Sequence, residues 1–314
     1  MKGVAYSRGP NWHEPKTFQH WPGKMINELA NKVPTVLQYE SGSNVARRWG
    51  FLCDQDSLDP NIVELFKLHL DPSFRGDPRP DAPTLQQAQQ WFQDYLRGIH
   101  DHIANTFSDS IPRWRTLTAE FVFSVPTTWK NPSMIAETER LIKNAGFGGD
   151  GTSPRSHRAT IGLTEAEAAA VYASKQQYEK DDVVLVCDAG GGTTDVNVLK
   201  LMSSGAEPTR LQQLSWVEGR PIGSTSIDMD FHRLIVTRLS HIRDRLAGDL
   251  EDLADQMMLG RFERFKCSYG TALAEANPNL LLQIPGLQPG VNFPGARIEN
   301  SMMSFSASVI YMSR

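Results

Sequence analysis

Residues 182–201, D-V-V-L-V-C-D-A-G-G-G-T-T-D-V-N-V-L-K-L, constrain this chain more than any other stretch. Residues 183–187 form an apolar, β-branched run bounded by charge, which predicts a buried strand. Asp188 ends that run. Gly190, Gly191 and Gly192 then predict a tight turn, because glycine takes φ > 0 freely and lets a ligand approach bare backbone. After Thr193, Thr194 and Asp195 an extended pattern resumes at Val196, Val198 and Leu199. The unit is strand, glycine turn, strand. Successive free N–H groups in such a turn make a concave anion site suited to phosphate. Asp188 and Asp195 at its ends suit a magnesium ion, which takes oxygen ligands and keeps much of its water. A plain β-hairpin would explain one or two glycines, but not three flanked by aspartates and two threonines. A dinucleotide fingerprint or a Walker loop needs a helix after the glycines, and the latter a Gly-Lys-Ser/Thr. Neither is present.

The bulk numbers set wide limits. A chain of 314 residues usually divides into two domains or lobes. A net charge of −4 and a pI near 6.1 give no electrostatic reason to expect nucleic acid or an acidic membrane as partner. Cys53, Cys187 and Cys267 are odd in number and widely spaced, which predicts reduced thiols in a cytoplasmic setting, with neither a disulfide framework nor zinc. No window approaches the roughly 18 apolar residues of a membrane span, and residues 1–22 lack a signal-peptide core. His100 and His102 stand two apart on a predicted helix and point to different faces.

In chain order, residues 3–6 and 33–37 read as strands, and the apolar positions between 61 and 70 as a short helix carrying Lys67. Lys67 by spacing alone is a solvated lysine on that helix. Proline and charge make 71–83 a loop. Apolar residues at 85, 88, 91, 92, 95, 99, 103 and 107 predict a long packing helix. A strand at 120–126 is ended by Pro126, and Asn131-Pro132 opens a helix that Gly146 closes. Residues 148–158 are a polar linker or insertion. Thr164 and Glu167 fit a capping box, with Glu165 in the first turn. Later come a strand at 211–217, a helix with its apolar face over 231–239, one helix over 250–268, and a tail of short strands. Glu263 and Lys266 fit an i, i+3 ion pair.

The octet Asp188-Ala189-Gly190-Gly191-Gly192-Thr193-Thr194-Asp195 resembles the second phosphate loop of the heat-shock protein 70 chaperones, of the actin and sugar-kinase superfamily. Its wording closely resembles that of a divergent branch abundant in filamentous fungi and present in animals. Weaker matches are Gly3-Val4-Ala5-Tyr6-Ser7, Val33-Pro34-Thr35, the strand–Val125-Pro126–helix–Ala145-Gly146 order, and Gly223-Ser224-Thr225 before a helix. The resemblance implies an α/β, actin-like ATPase fold with two lobes, each a ribonuclease-H-like mixed sheet flanked by helices. Those lobes would span 1–180 and 181–314, with outer subdomains near 60–118 and 229–314.

By the same resemblance the chain is an ATP-binding, chaperone-type ATPase using ATP/ADP and Mg2+, with co-chaperones or client proteins as partners and neither nucleic acid nor membrane. Gly190, Gly191, Gly192, Thr193, Thr194 and Gly223 would cradle the phosphates, and Asp188 and Asp195 would order the magnesium waters. Lys67 would sit near the attacking water, Glu165 would sense the γ-phosphate, and Glu263 and Lys266 would hold the adenosine. Departures are Ala166 for a proline, Cys267 for a basic residue and Gly270 for a serine. The family's first strand with its Asp-x-Gly-Thr-Thr turn is expected before Met1, and its adenosine loop after Arg314. A truncated domain with a weakened first lobe and residual or lost ATP turnover is therefore expected. The alternatives are a non-catalytic interaction fragment and a sugar or acetate kinase, for which no acceptor-binding motif is present.

Overall fold

The glycine-centred stretch folds into two antiparallel strands, Val183–Ala189 and Thr194–Leu201, joined by the four residues between them. They belong to a computed structural model that describes residues 2–9, 14–54, 57, 59–72, 74, 82–129, 131–148, 157–173, 178–203, 209–215, 218–220 and 222–311. The chain divides into two units. One comprises Met1–Gln55, Asp59–Ala189 and Thr193–Pro221, the other Asp56–Leu58, Gly190–Gly192 and Ile222–Arg314. The fold is mixed α/β, its described strands gathered in small sheets.

In the first unit β1 (Ala5–Tyr6) pairs with β2 (Lys16–Thr17), and β3 (Val36–Tyr39) lies between β4 (Ala46–Trp49) and β5 (Ile62–Glu64). The predicted strand over 33–37 is thus displaced past Pro34, with Val33 making only a bridge to Lys2. The predicted helix over 61–70 is a misreading. Ile62 and Val63 are β-branched and pair with β3, Leu65 turns the chain at φ 56°, and only Leu68–Leu70 makes a tight helical turn. Phe66 is nonetheless fully buried, so the apolar run served a core without a helical period.

Helix α1 (Leu85–Ser110) is the spine of this unit. Thr84 and Gln87 form its capping box, each side chain receiving the other's backbone N–H, at 3.3 and 2.9 Å. Ala88, Phe92, Tyr95, Ile99, Ile103 and Phe107 are buried along one face, as their spacing predicts. Burying a side chain of that size stabilises by about 1.5–3 kcal/mol, so this stripe dominates the core. β6 (Glu120–Val125) runs parallel to β7 (Arg158–Thr164), with α2 (Pro132–Asn144) between them in sequence. Asn131 caps α2, its side chain accepting from Ser133 N at 2.9 Å, and Gly146 at φ 107° ends it. The predicted linker falls mostly outside the described residues, only 148, 157 and 158 lying within them.

α3 (Glu165–Ala173) packs on β8 (Val183–Ala189) and β9 (Thr194–Leu201). β9 is central to its sheet: β8 pairs along one edge, and β10 (Leu211–Gln213) and β11 (Glu218–Arg220) share the other. Of the strand predicted over 211–217 only β10 is strand; β11 begins just beyond it, and residues 216 and 217 lie outside the described set. β8 continues one residue past Asp188, where the sequence pattern ended it.

The second unit is built on α4 (Ser224–Ser240), whose Phe231, Ile235 and Leu239 are buried as expected. The helix predicted over 250–268 is broken into α5 (Leu250–Met258) and α6 (Arg261–Cys267). Gly260 at φ 68° turns the chain between them, a conformation that costs other residues about 1–2 kcal/mol. After α7 (Ala272–Ala276), the tail forms a three-stranded antiparallel sheet: β12 (Asn279–Gln283) and β13 (Ile298–Glu299) both pair with β14 (Met302–Ser306). α8 (Ala307–Tyr311) follows directly. Phe231 stacks on Phe262 at 4.2 Å and meets Phe305 edge-on at 4.7 Å, tying α4, α6 and β14 together. Among the described residues no helix is long and apolar enough to cross a membrane.

Candidate functional site

Alternation along β9 turns Asp195, Asn197, Leu199 and Leu201 inward and leaves Asp195 only 2 % exposed. Asp188 lies directly opposite it on β8. Cross-strand neighbours share a face with Cβ atoms about 4.5–5.5 Å apart, so two carboxylates are held side by side. Burial, then the like charges of Asp188 and Glu165, push the Asp195 carboxyl above its ordinary range, and Thr193 and Lys67 offset only part of that. Thr193 Oγ1 stands 3.5 Å from Asp195 Oδ2, too far for a strong hydrogen bond. On the other flank Gly219 faces Asp195, where a Cβ would come within 2.1 Å of Thr128 Cγ2 and 2.5 Å of Asp195 Oδ1. Among the described residues, Asp195 Oδ1, both amide atoms of Asn197 and the hydroxyls of Thr127 and Thr128 are buried and find no hydrogen-bond partner. Buried orphans of this kind are rare, and an ion, a ligand or a water could satisfy them.

Lys67 and Glu165 come from 98 residues apart and meet, Lys67 Nζ donating to Glu165 Oε1 at 2.6 Å. Local structure sets both. Lys67 precedes the turn Leu68–Leu70, and Glu165 opens α3 behind the expected capping box, in which Glu167 N donates to Thr164 Oγ1 at 3.2 Å and Thr164 N to Glu167 Oε2 at 2.7 Å. Burial disfavours the charged Glu165, yet the attraction of Lys67, Lys2 and Lys32 and the hydrogen bond from Lys67 outweigh it, holding the carboxyl below its ordinary range. Lys2, which no sequence pattern marked, belongs to this group: it acts electrostatically on both Lys67 and Glu165. Glu165 and Lys67 in turn act on Asp195. The first unit therefore holds Lys67, Glu165, Thr193, Asp188 and Asp195 as electrostatic or hydrogen-bonding neighbours, with Thr128 and Asn197 beside Asp195. Thr194 is committed to the strand ladder, opposite Ala189 and Arg220.

The glycines of the second unit work differently from the expectation. None of Gly190, Gly191 and Gly192 has a positive φ. What they permit is close approach. Ser224 N donates to Gly190 O at 3.1 Å, while Thr225 N and Thr225 Oγ1 donate to Gly191 O at 2.9 and 2.7 Å. A Cβ on Gly223 would lie 2.2 Å from Gly191 O, so Gly223 is glycine because backbone passes backbone there. The first N–H groups of α4 thus bind loop carbonyls, and the N–H groups of Gly190, Gly191 and Gly192 make no hydrogen bond among the described residues. They are the groups an anion would use.

Glu263 and Lys266 form the predicted pair at 2.7 Å, but Lys266 Nζ also binds Asp228 Oδ1 at 2.7 Å. Asp228, which sequence spacing did not mark, sits 38 residues earlier on α4. Burial opposes the Lys266 charge, but its two carboxylate partners raise its pKa on balance. Lys266 Nζ also lies 5.7 Å from the Phe262 ring centroid. Cys267 Sγ donates to Glu263 Oε1 at 3.4 Å, occupying a carboxylate oxygen.

Among the described residues no three His, Cys, Asp or Glu side chains cluster as a metal cage. The paired aspartates fit a hard, hydrated cation instead, since Asp195 has an orphaned oxygen and the pair has an unbalanced charge. No protein-family model matches the chain.

Proposed function

We propose that this chain is a Mg-nucleotide-binding domain of the heat-shock protein 70 type. The observation that carries this reading is the hairpin β8–β9: two facing carboxylates, one of them buried, at the ends of a glycine loop, with one oxygen of the buried carboxylate and the loop N–H groups unpartnered among the described residues. In this reading the loop N–H groups, Thr193 and Gly223 would serve the phosphates, and Asp188 and Asp195 would hold a hydrated magnesium ion. The metal supplies counter-charge to the phosphates. Lys266, fixed by Asp228 and Glu263, serves the adenosine. For hydrolysis a water oxygen bonds to the γ-phosphorus while its bond to the β–γ bridging oxygen breaks, releasing ADP and phosphate. Lys67, held in place by Glu165, stands at the attacking water, so positioning and charge carry the rate.

The test is thermal unfolding with and without ATP and magnesium. A ligand at about 100 times its Kd stabilises a protein by about 2.7 kcal/mol. The stabilisation by Mg-ATP is expected to vanish when the metal is chelated and in the Asp195→Asn protein. An equal shift with and without magnesium contradicts the role given to the aspartates.

A further inference from the structure

Lys266 and His232 each join α4 to the helices that follow it, and each lies between two carboxylates. Lys266 on α6 is 2.7 Å from both Asp228 on α4 and Glu263 on its own helix. One turn further along α4, at the i+4 position that shares a helix face with Asp228, His232 is held in the same manner. Its Nε2 is 3.1 Å from Asp255 Oδ1 and its Nδ1 3.5 Å from Glu251 Oε2, both on α5. Glu251 and Asp255 are themselves four apart, like charges on one face of α5 that repel when nothing lies between them. The ring is mostly covered, while both carboxylates reach solvent. The two cations differ in one respect. A lysine ammonium keeps its charge through neutral pH, whereas an imidazole loses it there. A neutral ring donates from one nitrogen only, so one of the two α5 carboxylates then meets a lone pair and the repulsion between them returns.

We propose that His232 is a pH-operated latch between α4 and α5, closed while its ring carries a proton and released when the proton leaves. Release loosens α5, which leads through the turn at Gly260 into the helix that carries Lys266. The latch stands whether or not the chain binds nucleotide. The hydrogen bond to Asp255 comes first, and with the charges of Asp255 and Glu251 it outweighs burial, so the folded ring holds its proton above the ordinary value of 6.5. The latch therefore adds stability in full below about pH 6.5 and loses it as pH rises through the folded value. The charged groups facing the ring come from α5, namely Asp255 and Glu251. On its own helix Asp228 is taken by Lys266, and Arg233 by Asp230 at 3.0 Å. α8, which also packs on α4, has no Asp, Glu, Lys, Arg or His.

The experiment follows amide hydrogen exchange in α5 of the full chain at about pH 6 and about pH 8, each rate corrected for its intrinsic dependence on pH. The wild type is compared with His232→Gln, which is neutral throughout, and with His232→Lys, which copies the Lys266 arrangement. Wild-type protection is expected to fall by about threefold or more between the two pH values. His232→Gln is expected to match the released wild type at both, and His232→Lys to keep its protection at both. An equal fall in all three proteins overturns the latch, as does wild-type protection that does not change. A His232→Gln deficit as large at the higher pH as at the lower also overturns it, since the ring then acts by packing alone. Should His232→Gln fail to fold, the double variant Glu251→Gln, Asp255→Asn decides through NMR titration of the His232 ring. The ring pKa must drop toward about 6.5 in it, and an unmoved value overturns the latch.

Discussion

Glu165 is held ionised by the amines around it, whereas Asp195, buried opposite Asp188, is pushed toward its neutral form. The two carboxylates therefore contribute to stability with opposite dependence on pH. The Glu165 contribution is fully present above the ordinary glutamate pKa of about 4.3 and is lost as pH falls through the depressed folded value. Lys67 and Glu165 are about a quarter exposed, at 26 % and 30 % of their side chains, so solvent screens the pair in part. Glu165→Gln is expected to cost about 1–2 kcal/mol at pH 7 by urea unfolding, with the penalty fading at acid pH. A penalty undiminished at pH 3 would assign Glu165 to packing rather than charge. For Asp195 the sign reverses. The folded state binds the proton more tightly than the unfolded chain, so wild-type stability falls as pH rises from the ordinary aspartate pKa through the raised folded value. Asp195→Asn lacks that fall and is expected to gain on the wild type between pH 4 and pH 7 in parallel melts. A gap that moves the other way contradicts the burial and like-charge repulsion given to Asp195. These residues were legible from the octet and the resemblance. Lys2 and Asp228 were not, because their roles come from a bridge to Val33 and from a partner 38 residues away, neither of which leaves a local pattern.

At the scale of elements, the decisive contacts are where backbone meets backbone. Gly223 has φ −146°, which any residue adopts, so the cost of Gly223→Ala comes from the backbone carbonyls of Gly191 and Gly190, whose oxygens a Cβ would meet at 2.2 and 2.6 Å. That substitution is expected to destabilise by about 1–3 kcal/mol and to free Ser224 N and Thr225 N to faster hydrogen exchange. Unchanged exchange at those two amides would show that the loop does not bind the start of α4. A β-branched apolar run made β8 readable as a strand but not as a buried one, since Val183, Leu185 and Cys187 are exposed. Alternation made β9 readable, and the apolar stripe from 85 to 107 made α1 readable. The run at 62–70 was not, because a short apolar stretch satisfies either period and only its pairing with β3 decides it. Nor was the break at Gly260, since the amphipathic spacing continues on both sides of one left-handed residue.

Among the described residues two hydrophobic cores stand out, one around α1 and one around α4, α5 and the β12–β14 sheet. All seven tryptophans fall within the residues of the first unit, so their fluorescence follows that unit, and the second is followed by amide exchange. Phe305 is fully buried against Phe231 and beneath the Arg238 guanidinium, 4.3 Å from its ring centre. Phe305→Ala is expected to cost the second unit about 3–5 kcal/mol, read as lost protection of the β12 and β14 amides. Retained protection would contradict the core assigned to that unit. The central claim, that the hairpin loop and its facing aspartates bind a magnesium nucleotide, is tested most directly by calorimetric titration of the purified chain with Mg-ATP beside the Asp188→Asn, Asp195→Asn protein. Saturable binding to the wild type that is lost in the folded double variant is the predicted result. A folded wild type that binds no Mg-ATP, or a double variant that binds it equally well, would contradict it.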